Sequence, residues 1–163
     1  GKRHDLIIKA IKKLKQSGFL IHLKIAGDGP LKNEEEKLVN DLGLNDQVFF
    51  KGLMNRDQII AFYQSLDAYI HASDGETICY SIMEAQACGL MILASDVEGI
   101  NNYLSEKGGG ILFENNIESI AERIEQVYVD KTLRVKNQKM ARNFAIQNYN
   151  ENNNSNRLYN IIN

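Results

Sequence analysis

Apolar residues recur along the chain with two different periods, and the changes of period mark the predicted elements. Residues 5–16 carry leucine, isoleucine and alanine at helical spacing, and Ser17-Gly18 ends that helix. Residues 19–26 form a largely apolar run typical of a strand, which the turn at residues 27–30 interrupts. A charged helix is predicted over residues 31–42. The chain is therefore predicted to begin with a helix, which is followed by a strand, a glycine turn and a second helix.

The same unit of strand and helix recurs toward the C-terminus. Strands alternating with helices pair in parallel through right-handed crossovers. Because the strands are short and apolar and have helices on both sides in sequence, we predict an α/β fold with an open parallel sheet covered on both faces. The further predicted strands are 47–51, 68–71, 91–94 and 111–113, and the further helices are 57–65, 80–88, 117–128 and 133–147.

Length and composition fit one domain. The chain has 163 residues, of which 44% are hydrophobic and 25% charged, close to the globular average. We predict a domain over residues 1–147, then a linker and C-terminal helix over residues 148–163, because the Asn-rich stretch there disfavours a continuous helix. The start Gly-Lys-Arg, without Met, is compatible with a fragment of a longer protein.

Charge and cysteine content exclude several classes of protein. A net charge of -2 gives no bulk attraction to nucleic acid or to anionic lipid. Two cysteines, Cys79 and Cys88, indicate neither a disulfide framework nor a zinc knuckle. No apolar run reaches the roughly 18 residues that cross a bilayer. We therefore expect a cytoplasmic protein.

The loops that follow the strands are where an open parallel sheet places its ligand. One of them leads into the most informative pattern, two carboxylates eight residues apart: Glu76 lies in the loop, and Glu84 lies about one turn inside the helix that starts near Tyr80. The first amides of that helix offer a site for phosphate. A nucleotide sugar would give Glu84 the ribose hydroxyls, Glu76 the sugar hydroxyls, and the amides of Cys79 to Ser81 the phosphates. The alternative is that both carboxylates are ordinary surface charges.

Several short motifs, in a consistent order, resemble glycosyltransferase family 4, a retaining family with the GT-B fold. The strongest is Glu76-x7-Glu84 followed by the run from Ala85 to Ser95. The resemblance is to the nucleotide-sugar-binding C-terminal domain, a Rossmann-like half of that fold. The weaker motifs are Lys2-Arg3-His4-Asp5-Leu6-Ile7, Ile25-Ala26-Gly27-Asp28-Gly29-Pro30, Val48-Phe49-Phe50-Lys51-Gly52, Gly110-Ile111-Leu112-Phe113 and Leu158-Tyr159.

The resemblance implies an enzyme of the hexosyltransferase type. It would move a hexosyl or N-acetylhexosaminyl group from a UDP-sugar to a glycan or glycolipid acceptor, in surface polysaccharide synthesis. Lys2 and Glu76 are the implied catalytic residues, with the Lys2 ammonium stabilising the leaving diphosphate. Gly27 and Gly29 would let the backbone approach the nucleotide. The other implied contacts are with Gly52, Leu53, Met54, Cys79, Tyr80, Ser81 and Glu84.

The same resemblance bears on cofactors and partners. Neither cofactor nor metal is expected, because Lys2 and the helix amides supply positive charge and no Asp-x-Asp follows a strand. The family's first strand and its acceptor-binding domain would precede Gly1. We therefore expect this chain to bind UDP without transferring sugar, and the longer protein to contact its acceptor, and optionally a membrane surface, through the other domain. No nucleic acid partner is expected.

Two segments depart from the family pattern. Thr77-Ile78-Cys79 stands where the family has Gly-Phe-Gly, and residues 98–102 replace Gly-Gly-x-Pro-Glu. We expect Cys79 to be a packing residue, since no base lies near it in sequence. Ser81 is predicted both to cap its helix and to touch phosphate. His22 and His71 lie in predicted strands, where packed and hydrogen-bonded imidazoles are expected.

Other functions remain open from the sequence. A dinucleotide-binding oxidoreductase shares the alternating strands and helices, but its fingerprint requires a third glycine where Lys32 stands. A non-catalytic nucleotide-binding module would fit the altered Thr77-Ile78-Cys79 turn. A sugar phosphorylase or an epimerase remains open on the same fold.

Overall fold

The structure is a computed structural model that describes residues 1–101, 104 and 108–149. Helices and strands alternate along most of it, as predicted for the α/β class. The predicted linker and C-terminal helix, including Leu158-Tyr159, lie outside the described residues apart from the end of the last helix and Tyr149. The elements are α1 (His4–Gln16), β1 (Leu23–Ala26), α2 (Lys32–Asp41), β2 (Val48–Gly52), α3 (Arg56–Gln64), β3 (Ala68–His71), α4 (Tyr80–Ala87), β4 (Met91–Ser95), β5 (Gly110–Phe113), α5 (Ile117–Val129) and α6 (Lys131–Asn148).

The strands form two parallel sheets where the sequence predicted one. β1 pairs with β2, and β3, β4 and β5 pair in that order. Within the described residues, β1 and β3 each have one edge without a neighbouring strand. Residues of both strands line the same cleft, which has a volume of about 1550 Å³. The two sheets thus lie on either side of one cleft.

β4 is the central strand of the larger sheet and is buried on both faces. Met91 and Leu93 pack with residues of α1 and α5, whereas Ile92 and Ala94 pack with residues of α3 and α4. This alternation follows from the period of two in a strand. Burial of each large apolar side chain contributes about 1.5 to 3 kcal/mol relative to exposure. The prediction that helices cover both faces is confirmed for this sheet.

The first predicted strand is shorter in the structure than in the prediction. Its pairing starts with Leu23 opposite Val48, the first residue of β2, so residues 19–22 have no partner in that register. Phe19 instead packs edge-on against Tyr128 of α5, with ring centroids 5.5 Å apart. Phe19 and Ile21 therefore pack against the core without strand pairing, whereas Leu20 is 61% exposed.

The helices on the two sides of the cleft start differently. At α3, Asn55 accepts a hydrogen bond from the Gln58 amide at 3.0 Å, and the Gln58 side chain accepts one from the Asn55 amide at 2.9 Å, which is a capping box. At α4, the N-cap residue is Cys79, whose side chain makes no capping hydrogen bond. The start of α4 is therefore left open to a ligand.

No described helix is both long enough and apolar enough to cross a membrane.

Candidate functional site

The loops after β1, β2 and β3 border the cleft, as the open-sheet rule predicts. Three of the predicted site residues are at its rim: Glu76 and Cys79 both contact His71, which lines the cleft, and Tyr80 precedes Ser81, which also lines it. Gly52 precedes the lining residue Leu53 without lining the cleft itself. The other predicted site residues line the cleft directly and are Lys2, Gly27, Gly29, Leu53, Met54, Ser81 and Glu84.

Lys2 is held beside the end of β3. It pairs in an antiparallel bridge with Ser73, and the neighbouring Arg3 amide donates to the Ala72 carbonyl at 2.9 Å. The Lys2 ammonium lies 3.8 Å from a carboxylate oxygen of Glu76, and its side chain is 53% exposed. The backbone is therefore anchored while the charged end remains accessible to a ligand.

Glu76 is paired with His71, and the prediction of a packed, hydrogen-bonded imidazole at His71 is confirmed. His71 Nε2 lies 3.0 Å from Glu76 Oε1, and Tyr69 Oη lies 3.2 Å from His71 Nδ1. Burial lowers the pKa of His71, and the positive charge of Lys2 lowers it further. Partial burial would raise the pKa of Glu76, but the His71 hydrogen bond and the Lys2 charge outweigh it and lower the pKa below its usual range. A neutral imidazole therefore donates from Nε2 to an ionised carboxylate, a tautomer inferred from these partners.

Cys79 also contacts His71. Its Sγ is 3.5 Å from His71 Nε2 and 3.4 Å from Ser81 Oγ. Although no base lies near Cys79 in sequence, the loop after β3 folds back and brings the N-cap of α4 against His71 at the end of that strand. Burial raises the pKa of the Cys79 thiol. A neutral, buried thiol fits a packing residue better than a nucleophile.

The ligand atoms of His71, Glu76 and Cys79 lie within 4.8 Å of one another and could hold a metal ion.

The neighbouring start of α4 offers backbone amides as a second kind of binding group. Among the described residues, the amides of Tyr80 and Ser81 donate no hydrogen bond to the protein, as expected for the first turn of a helix. The prediction that Ser81 caps α4 is wrong, because Cys79 occupies the N-cap position.

Glu84 is deeply buried, with 2% of its surface exposed, so it is not an ordinary surface charge. Tyr63 on α3 donates its hydroxyl hydrogen to Glu84 Oε2 at 3.1 Å. Burial, more than any neighbouring charge, raises the pKa of Tyr63 and keeps the hydroxyl protonated as a donor. Both side chains line the cleft. A buried carboxylate with this support is a fixed hydrogen-bond acceptor.

The loop after β4 closes against the backbone of Glu76. The Glu76 amide donates to the Glu98 carbonyl at 3.4 Å. A Cβ on Gly99 would lie 1.6 Å from the Glu76 carbonyl oxygen, and Gly99 has a φ of +90°. Only glycine fits this close approach. Gly99 therefore takes part in positioning Glu76, although Asn102 of the same segment lies outside the described residues.

On the other side of the cleft, the predicted contacts are made by turns. The Gly27 amide donates to the Gly52 carbonyl at 2.8 Å, which ties the turn after β1 to the turn after β2. Leu53 is 78% exposed although it is apolar, and Met54 is half-buried. His22, predicted to be packed, is exposed and only flanks Phe49. This side offers backbone groups and one exposed apolar side chain.

Sequence reasoning missed three residues that support the site: His71, Tyr63 and Tyr69. His71 carried a usable signal, because the last residue of a parallel strand lies at the edge where ligands bind. Tyr63 and Tyr69 carried none, since an aromatic residue in a helix or strand is usually a packing residue. Their hydroxyl groups become informative only when their acceptors are known.

Residues 1–145 match the family model described as Glycosyl transferases group 1. Among curated relatives, the alpha-monoglucosyldiacylglycerol synthase of Streptococcus pneumoniae is 31% identical over 57% of this chain and 21% of its own length. The uncharacterized glycosyltransferase MJ1069 of Methanocaldococcus jannaschii is 32% identical over 88% of this chain and 37% of its own length. The chain thus spans well under half the length of these relatives.

Among solved structures, a mutant of TarM from S. aureus in complex with fondaparinux, alpha-GlcNAc-glycerol and UDP superposes with a TM-score of 0.85. The sequence identity is 24%, and the match covers 99% of this chain and 33% of that one. This likeness confirms the predicted fold, a Rossmann-like α/β half of a GT-B architecture.

Proposed function

The chain belongs to the glycosyl transferases group 1 family, and we propose that it is the donor-binding domain of a retaining enzyme that uses a UDP-sugar. The group moved would be a hexosyl or N-acetylhexosaminyl group, and the acceptor a glycan or glycolipid of surface polysaccharide synthesis. One observation carries the proposal: the open amides at the start of α4 lie between Glu76 and Glu84, beside the cleft. The dinucleotide-binding alternative is not favoured, given the family match.

The diphosphate of the donor binds at the start of α4. The amides of Tyr80 and Ser81 supply hydrogen bonds, and the helix end adds a partial positive charge. The carboxylates on either side would repel a bare phosphate, so each must face a hydroxyl group. Glu84, fixed by Tyr63, accepts from the ribose, and Glu76 accepts from the sugar.

Sugar transfer leaves negative charge on the departing UDP, and Lys2 is the cation that stands beside Glu76. Its ammonium, 3.8 Å from the Glu76 carboxylate, is positioned to stabilise that charge as the glycosidic bond breaks. Lys2 and the amides of α4 together take the part that a metal ion plays elsewhere. We therefore expect UDP affinity to be the same in the presence of a metal chelator, measured by calorimetry.

The relatives support the donor and product classes without fixing them. The solved TarM structure contains UDP, and the streptococcal relative is named as a synthase of an alpha-glucosylated diacylglycerol. Leu53 and Met54, at the turn after β2, are assigned to the nucleotide base. The proposed location is the cytoplasm, with any membrane contact made by another part of the protein.

The unpaired edges of β1 and β3 support the expectation of a further strand. A parallel strand between them would join the two sheets into one and fill part of the cleft. We propose that this strand and the acceptor domain precede Gly1, and that the present chain binds UDP without transferring sugar. Adding the preceding residues should raise the free energy of unfolding and restore transfer.

Calorimetry with UDP tests the proposal on wild type and Glu84→Gln. Loss of a charged acceptor should weaken binding by about tenfold to a hundredfold, equivalent to roughly 1.5 to 3 kcal/mol. Glu122→Gln, on the exposed face of α5, is the matched control and should bind as wild type does. Equal affinities for wild type and Glu84→Gln would remove Glu84 from the site. Preference for ADP, NAD or S-adenosylmethionine in a thermal-shift panel would contradict the donor assignment.

A further inference from the structure

We propose that His71, Glu76 and Cys79 form a zinc-binding site, with an imidazole, a carboxylate and a thiolate as ligands. The fourth position of the ion would face the cleft. This site goes beyond the proposed sugar transfer, which requires no metal. Zinc would not be a cofactor, because it would compete with the donor sugar for the Glu76 carboxylate.

The spacing of the three ligand atoms already suits zinc. Zinc binds nitrogen and oxygen at about 2.0 Å and sulfur at about 2.3 Å, so a tetrahedral ion sets a nitrogen about 3.3 Å from an oxygen and about 3.5 Å from a sulfur. In the structure, His71 Nε2 lies 3.0 Å from Glu76 Oε1 and 3.5 Å from Cys79 Sγ. Both separations from His71 therefore match a tetrahedral ion within a few tenths of an ångström, whereas the Glu76 and Cys79 ligand atoms, which lie within 4.8 Å of each other, would move together around the ion.

Two of the three ligands are fixed by packing before any ion binds. The His71 side chain is 2% exposed and Cys79 is 3% exposed. The Tyr69 hydroxyl, 3.2 Å from His71 Nδ1, holds the ring from behind. Zinc-binding histidines usually have such a partner on their second nitrogen, which sets the tautomer and the ring orientation. Only Glu76, at 21% exposure, has room to adjust.

The ligand types favour zinc over magnesium or calcium. Thiolate and imidazole prefer zinc and related transition ions, whereas magnesium and calcium prefer oxygen ligands. On binding, the Cys79 thiol releases its proton to solvent, and the His71 proton moves from Nε2 to Nδ1, where the Tyr69 oxygen accepts it. The Lys2 ammonium, half-exposed and 3.8 Å from Glu76, is displaced toward water.

The consequence for transfer rests on the proposed function. Glu76 there accepts a hydroxyl group of the donor sugar, so an ion bound to Glu76 would exclude that sugar. Zinc should therefore weaken binding of a UDP-sugar to this chain. Zinc binding by itself does not depend on the donor assignment and can be tested without nucleotide.

The test is a titration of the reduced, metal-free chain with Co²⁺, whose thiolate complexes absorb strongly in the near ultraviolet. We expect one equivalent to bind with a cobalt–thiolate band, and added Zn²⁺ to remove the band. Cys88→Ser is the matched control, because it leaves Cys79 as the only cysteine of the chain. Cys88→Ser should keep the band and Cys79→Ser should lose it.

Two further variants separate a metal site from a simple hydrogen-bonded histidine. Tyr69→Phe should weaken Co²⁺ binding by about tenfold, the usual effect of losing an outer hydrogen bond. Glu76→Gln should weaken it at least as much. Absence of the band in wild type, or loss of the band in Cys88→Ser, would overturn the proposal even where Cys79→Ser fails to fold. UDP calorimetry in a chelator is measured separately, so failure of the zinc site and failure of the donor site are distinguishable.

Discussion

The two sheets on either side of the cleft hold their functional groups in different ways. The sheet of β3, β4 and β5 is covered on both faces, and His71 at the end of β3 contacts both Glu76 and Cys79. The sheet of β1 and β2 is only half-buried along β1 and presents backbone turns. The hydrogen-bonding side chains of the site therefore lie beside the well-packed sheet of β3, β4 and β5, whereas the sheet of β1 and β2 offers mainly backbone groups of its turns.

The largest expected difference between the two sides is in stability. Ile92 of β4 is fully buried, whereas Ile25 of β1 is only partly buried. Ile92→Ala should lower the free energy of unfolding by about 4 kcal/mol and Ile25→Ala by about 1 kcal/mol, because the buried site leaves a cavity. Urea unfolding measures both. Equal losses would show that the two sheets are equally well packed.

The second-largest effect is expected for Gly99→Ala, in the loop that packs against Glu76. Its Cβ would lie 1.6 Å from the Glu76 carbonyl oxygen, so the loop must move. We expect a loss of about 3 kcal/mol in unfolding free energy together with weaker binding of a UDP-sugar. Gly18→Ala is the control, because Gly18 also has a positive φ of 87° but a Cβ there meets nothing within 4 Å. If thermal unfolding shows the same loss of unfolding free energy for both variants, the close approach of Gly99 to Glu76 does not contribute to stability.

Tyr63→Phe tests the support of the buried carboxylate. The change removes the hydroxyl that donates to Glu84 at 3.1 Å and leaves the ring in place. We expect a loss of about 2 kcal/mol in unfolding free energy, since the buried Glu84 side chain loses the hydroxyl that donates to it. Tyr128→Phe, on the exposed end of α5, should change stability little. If the two variants unfold alike, the Tyr63 hydrogen bond is not a significant part of the site.

The smallest effect is expected at the turn after β2. Leu53 is 78% exposed, so Leu53→Ala should change the unfolding free energy by no more than about 0.5 kcal/mol. UDP affinity should nonetheless fall about threefold, because the exposed side chain is assigned to the base. Unchanged affinity in calorimetry would show that the turn side contributes backbone contacts alone.

Hydrophobic periodicity predicted the order of elements, and β3 was predicted at its observed bounds of Ala68 to His71. Periodicity reports which residues are buried, so it could not show that Phe19 and Ile21 pack without strand pairing. It also could not place His71 against Cys79, or bury Glu84 under Tyr63, because those contacts depend on how loops and helices close in space. The close approach at Gly99 was invisible for the same reason.

The candidate site divides along the same line. The Glu76 and Glu84 pattern and the start of α4 were predictable, since strand ends and helix starts follow from the order of elements. The supporting hydroxyl groups of Tyr63 and Tyr69 were not, because an aromatic residue in a helix or strand is usually a packing residue. His71, the last residue of β3, carried a positional signal. The residue types that bind could be predicted, whereas their ionisation and orientation required the structure.

A crystal structure of this chain with UDP tests the central claim most directly. We expect diphosphate oxygens within about 3 Å of the backbone nitrogens of Tyr80 and Ser81, with the ribose hydroxyls on Glu84. A diphosphate bound away from the start of α4, with Glu84 still enclosed by protein and out of reach of the ribose, would contradict it.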